Sequence, residues 1–254
     1  MTAQATAGLG MSREPGERWT RFARRVANAF GLVVLLVLLT YVLASLLSYK
    51  EWTALLITIS SVASVTVALT SAEARHWVVR WGLRLALLAV LLAFLNALLD
   101  APSLLGLASL IQMLLFMCAA AAVLRAVVTE SEVGFRTILG AISVYLMFGL
   151  LFTFLYAAID RLQPGLFFGE PANAGDYVFF SFTTLTTTGY GNLVPAGQPG
   201  EMFAGLEMLI GQIFLVTLIA GLVSLWRPGQ VARLRRDKAA APESEAAAEP
   251  RPAD

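Results

Sequence analysis

Asp176-Tyr177-Val178-Phe179-Phe180-Ser181-Phe182-Thr183-Thr184-Leu185-Thr186-Thr187-Thr188-Gly189-Tyr190-Gly191-Asn192 reads as two halves. The first, residues 176–187, is apolar and aromatic behind a leading acid. Asp176 is placed to cap the N-terminus of a short helix. At 1.5 Å per residue that helix reaches about 18 Å, well short of the roughly 30 Å hydrocarbon core of a bilayer. The second half contains Gly189 and Gly191, which supply backbone angles closed to other residues. A segment too short to cross, set between long apolar segments, is expected to be re-entrant. Non-helical backbone at membrane depth is tolerated only where it is buried in protein or lines a water-filled path.

The surrounding chain supports a membrane setting. Of 254 residues, 58% are hydrophobic and only 14% are charged, against about 25% charged in an ordinary soluble domain. A soluble protein has too much surface per volume to hide that apolar fraction. Six apolar segments are expected to span, at about 29–48, 52–70, 77–99, 104–128, 135–159 and 202–226. Of the 35 charges, 18 fall in residues 1–27 and 227–254. With the N-terminus inside, 16 Lys and Arg lie on the cytoplasmic side and only Lys50 and Arg161 outside. The positive-inside rule then puts both termini in the cytoplasm of a multi-pass plasma-membrane protein.

This divides the chain into four parts. Residues 1–28 form an N-tail in which Trp19, Phe22, Val26 and Phe30 recur at helical spacing beside Arg18, Arg21, Arg24 and Arg25, as in an interfacial amphipathic helix. Residues 29–128 are a four-helix membrane domain and 129–226 a pore domain. Residues 227–254, rich in Ala, Pro and Glu, are expected to be a disordered tail too short for a ligand-binding domain. The basic residues of the tails are placed to touch anionic lipid. Thr129 and Glu132 have the spacing of a capping box, so a helix is expected to start there. Lone Cys118 and lone His76 offer no disulfide or metal site. No cofactor, nucleic-acid partner or enzymatic activity is expected.

The chemistry of the central stretch follows from its backbone. Permissive positions at Gly189 and Gly191 let successive carbonyls face one axis, and stacked carbonyl rings replace the water shell of K⁺. The Thr187 hydroxyl adds an oxygen at the inner end. One strand gives one carbonyl per layer, so the working unit is expected to be a homotetramer in the bilayer. The negative end of the short helix dipole favours a cation at the membrane centre.

Residues 181–195, with Thr186-Thr187-Thr188-Gly189-Tyr190-Gly191-Asn192 at their heart, resemble the pore loop of the potassium channel superfamily. The likeness covers roughly residues 135–226, and more narrowly is to small bacterial six-span channels without a cytosolic regulatory domain. It implies an all-α fold of six transmembrane helices plus a pore helix and filter. Thr187, Thr188, Gly189, Tyr190 and Gly191 would form the filter, with K⁺ held at Thr187, Thr188, Gly189 and Tyr190. Asn192, Thr183, Phe180 and Glu207 would support it. Gly211 falls where the family has an inner-helix hinge glycine. Three departures stand out: Thr188 where Val or Ile is commoner, Asn192 where Asp is usual, and Phe179 and Phe180 where Trp is frequent. A Phe has no N–H for the Tyr190 hydroxyl, so another group must hold it.

Glu207 is an acid inside the last span and is expected to hydrogen-bond the short helix, at Thr183 or Thr184. Leu215, Ile219 and Val223 repeat every four residues and suit an apolar gate that closes by dewetting. The fourth span carries only Arg125, so no voltage-sensing arginine ladder is expected. The rival readings are a weakly selective cation channel, motivated by Asn192, and a non-conducting regulatory channel subunit. A secondary transporter would show internal repeats, and none is evident.

Overall fold

The computed structural model describes the backbone of residues 15–46, 53–129 and 135–225, and side chains over 30–46, 53–129 and 136–221. Every described element is an α-helix: α1 Pro15–Leu46, α2 Thr53–Ser71, α3 His76–Leu99, α4 Pro102–Val128, α5 Phe135–Leu162, α6 Ala174–Leu185 and α7 Gly200–Leu225. Contacts divide the chain into two units, residues 1–213 and 214–254.

Five helices are long and apolar enough to cross a membrane: α2, α3, α4, α5 from Arg136, and α7 as far as Gly221. The apolar part of α1, Phe30–Leu46, is shorter. α1 runs without a break from Pro15, so the sequence boundary at residue 28 is not a helix boundary. Which way the side chains of residues 15–29 face lies outside the described residues.

The expected capping box at Thr129 is corrected. Thr129 closes α4 instead, donating its backbone N–H (3.0 Å) and its hydroxyl (2.8 Å) to the Arg125 carbonyl. The hydroxyl adds a second donor in the last turn, where carbonyls outnumber the helix's own N–H donors. Glu132, residues 1–14 of the expected 1–28 tail and the whole expected tail 227–254 lie outside the described residues. The turn from α3 to α4 is tight: Asp100 takes a left-handed φ of 48° and Pro102 opens α4. Proline suits that position because its missing N–H has no helical partner there.

The packing inverts the usual order of soluble proteins. The buried residues of α3 are Ala86, Ala89 and Ala93, while Leu87 is 69% exposed, and Leu91, Phe94 and Leu98 also face outward. Small residues let helix backbones approach, and large apolar ones meet lipid. Many hydroxyls inside the bundle are satisfied locally. Thr58, Ser64, Ser109, Ser143 and Thr153 donate to the carbonyl four residues back. Thr40 on α1 meets Ser60 on α2 at 2.8 Å. In hydrocarbon no water would satisfy such groups.

Candidate functional site

α6 is built as a short, firmly capped helix. The N-cap is Asn173, one turn before the Asp176 that the sequence reading chose. The Asn173 Oδ1 accepts from Gly175 N (2.8 Å) and Asp176 N (3.3 Å), and Asp176 Oδ2 accepts in return from Asn173 N (2.8 Å). This reciprocal capping box satisfies N–H groups that have no helical acceptor, and it sets a carboxylate at the positive end of the dipole. Behind α6 lies an aromatic cluster of Phe152, Tyr156, Phe167, Tyr177 and Phe180. Phe180 is thus a buried wall residue, with its ring 5.0 Å from Tyr156 and 5.3 Å from Phe168.

At its other end α6 unwinds into residues 186–192, all exposed in the single chain. Thr187 N donates to Thr184 O (2.9 Å), and Thr188 N and Gly189 N both donate to Thr183 O (2.8 and 3.2 Å). Thr183 therefore supports the segment through its carbonyl, while its own hydroxyl turns back to Phe180 O. The Thr186 and Thr188 hydroxyls lie 2.8 Å apart.

Positive φ angles recur at every second residue: Thr187 at 56°, Gly189 at 51° and Gly191 at 78°. Alternation of this kind turns successive peptide groups the same way, so that N–H groups line one side and carbonyls the other. An added Cβ would meet nothing at Gly189 or Gly191. Glycine is required there by the backbone angle and not by space. Thr187 holds the left-handed angle with a β-branched side chain, a conformation costing on the order of 1–3 kcal/mol. Tyr190 is 71% exposed, and the Phe179 ring lies over it at 5.8 Å, nearly parallel. Phe179 thus meets the tyrosine by stacking. Asn192 is exposed.

Glu207 is fully buried, but the expected partners Thr183 and Thr184 are corrected. The carboxyl meets Ser181 Oγ at 2.6 Å and the Tyr156 hydroxyl at 2.6 Å. Ser181 sits on the face of α6 that looks at α7, whereas Thr183 is engaged with α6 itself. Ser181 Oγ also lies 2.7 Å from Gly149 O. A serine hydroxyl has one proton, so Ser181 donates to Glu207 Oε1 or to Gly149 O, while Tyr156 donates to Glu207 Oε2. The chain Glu207, Ser181, Gly149 ties α7, α6 and α5 together.

Gly211 also acquires a packing role. α7 runs through it unbroken, and a Cβ there would overlap the Leu185 carbonyl oxygen and sit 3.0 Å from Leu185 Cδ1. The missing side chain is what lets α7 lie against the end of α6. In the second unit, Leu215 is half-buried and Ile219 exposed, and the Val223 side chain lies outside the described residues. Ser181, Tyr156 and Asn173 were not singled out from sequence. Asn173-Ala174-Gly175-Asp176 carried a legible capping signal. Tyr156, 51 residues from Glu207, carried none.

Residues 140–227 match the family model described as an ion channel. The matched stretch takes in most of α5, all of α6, residues 186–192 and α7. No curated protein and no solved structure matches the chain.

Proposed function

We propose, from the ion-channel domain at residues 140–227, that the chain is the subunit of a potassium-selective channel in which four copies surround one pore. The observation that carries this reading is the alternation of positive φ at Thr187, Gly189 and Gly191, directly after a capped helix too short to cross. Four such strands around an axis present rings of carbonyl oxygens from Thr187, Thr188, Gly189, Tyr190 and Gly191. With the Thr187 hydroxyl below them, these rings replace the hydration shell of K⁺. Exposure of the whole 186–192 segment in a single chain suits a surface that other copies complete. The C-terminal end of α6 adds the favourable dipole for a cation.

In this reading α1–α5 and α7 span the membrane, α6 is re-entrant, and both termini are cytoplasmic. Glu207 positions the filter by holding α6 to α5 and α7. Leu215, Ile219 and Val223 form an apolar inner gate. With Arg125 alone in α4, conduction has little intrinsic voltage dependence. Asn192 supports a second reading, a less selective cation channel, because it removes a carboxylate from the outer mouth of each subunit.

One experiment separates these. Purified protein in a planar bilayer is given K⁺ on one side and Na⁺ on the other. The proposal expects a reversal potential close to that for K⁺ alone. A reversal near zero would sink selectivity and leave the second reading.

A further inference from the structure

We propose that a cavity bounded by α1, α2, α3, α4, α5 and the first turns of α6 binds a small zwitterion carrying a primary ammonium and an anionic group. The inference stands apart from ion selectivity. The cavity encloses about 600 Å³, inside the roughly 300–1,000 Å³ range of small-molecule sites.

Its floor is built of acceptors. The Thr58, Ser109 and Thr153 hydroxyls give their protons to Ala54 O (2.7 Å), Leu105 O (2.8 Å) and Gly149 O (2.8 Å). What they have left for the cavity is lone pairs. Gln112 joins them on the lining. It is 3% exposed, and its Oε1 is buried without a hydrogen-bond partner. A buried amide oxygen left unmet is costly, and native proteins rarely keep one without a reason.

The remaining lining supplies two opposite charges. Arg161 spends one N–H on Ala157 O (2.8 Å) and lies 5.6 Å over the Tyr177 ring. It forms no ion pair among the described residues, which leaves guanidinium donors for an anionic group. Asp100 lines the same cavity from the end of α3. Ile57, Leu150 and Phe154 provide apolar wall for a short carbon skeleton.

Other ligand classes satisfy only part of this lining. A simple anion meets Arg161 but offers the floor no donor. An apolar molecule leaves both Gln112 and Arg161 unmet. A quaternary ammonium has no N–H to give. A primary ammonium with a nearby phosphate or carboxylate meets the acceptors, Asp100 and Arg161 together. Asn173 and Tyr177 of α6 form part of the wall, so a bound molecule touches the helix that carries residues 186–192. The same chemistry is available from an ethanolamine phospholipid headgroup or from a free zwitterion in water.

The test uses the full chain and two matched pairs of probes. In nanodiscs, phosphatidylethanolamine is titrated against phosphatidylcholine, and retained lipid is counted by native mass spectrometry. In detergent, thermal stabilisation by free O-phosphoethanolamine is compared with that by O-phosphocholine. The expected result is a preference for ethanolamine of roughly tenfold or more, as for hydrogen bonds to a charged group. Gln112→Leu should abolish the preference and Gln112→Glu should keep it, while Arg161→Gln should weaken the ethanolamine and choline probes alike, because both carry the phosphate. Stabilisation by the lipid alone names the bilayer as the source, and stabilisation by the free molecule names the aqueous phase. Equal retention of both headgroups, binding of neither, or a preference surviving Gln112→Leu would overturn the proposal. The headgroup comparison on the unaltered protein decides the matter even where a variant fails to fold.

Discussion

Replacing Glu207 tests the buried network most directly, because two substitutions of similar size should behave differently. Glu207→Gln keeps both contacts: the amide N–H donates to Ser181 Oγ and the amide oxygen accepts from Tyr156, in place of the 2.6 Å bonds now present. The loss should stay below about 1 kcal/mol, as for a near-isosteric exchange of satisfied groups. Glu207→Leu leaves the fully buried Tyr156 hydroxyl without an acceptor, at a cost of roughly 1–3 kcal/mol. Ser181 is spared because it retains Gly149 O. Tyr156→Phe removes the other partner. The double variant Tyr156→Phe with Glu207→Leu should therefore fall short of the sum of the single losses by about 1–2 kcal/mol. Denaturant unfolding of the purified protein, followed by helical circular dichroism, gives the four values of the cycle. Two results would refute the reasoning. If Glu207→Gln costs as much as Glu207→Leu, an amide does not keep the two contacts. If the cycle is additive, the hydroxyl and the acid do not share a bond.

Gly211→Ala should cost roughly 1–3 kcal/mol by forcing a methyl group into the Leu185 carbonyl; unchanged unfolding would show that the close approach does not need glycine. Gly189→Ala and Gly191→Ala should each lose on the order of 1–2 kcal/mol through the left-handed backbone angle alone. Ion flux from proteoliposomes should fall in both, and full retention would count against the alternating strand. Asn173→Ala should weaken α6 by about 1 kcal/mol, seen as faster hydrogen exchange at Gly175 and Asp176, while unaltered exchange would show that the cap is redundant.

The helices were legible because long apolar runs are a one-dimensional property. The six segments expected between residues 29 and 226 each overlap one of the helices α1–α5 and α7, with ends displaced by a few residues except at the start of α1, which lies at Pro15 and not at residue 29. The short helix and its unwound end were legible for a local reason also: an apolar run too short to cross, followed by Gly189 and Gly191. Thr129 was misread because one residue type serves two helix ends, and spacing to Glu132 does not say which end is near. Glu207 was recognised as significant, since an acid in a span is conspicuous. Its partners were not legible, because the rotation of α7 about its axis chooses between Ser181 and Thr183.

The amino-acid order alone therefore determined the membrane class, the placement of most helix ends and the glycine-bearing segment 186–192 that departs from helix. Each of these follows from hydropathy and from glycine's freedom at φ, which act within a few neighbouring residues. Tertiary structure alone decided that Gly211 is a contact surface, that Glu207 meets Tyr156 and Ser181, and that Gln112 and Arg161 line one cavity. These depend on which faces of separate helices meet, and packing sets them among residues up to 51 positions apart in the bonded pairs.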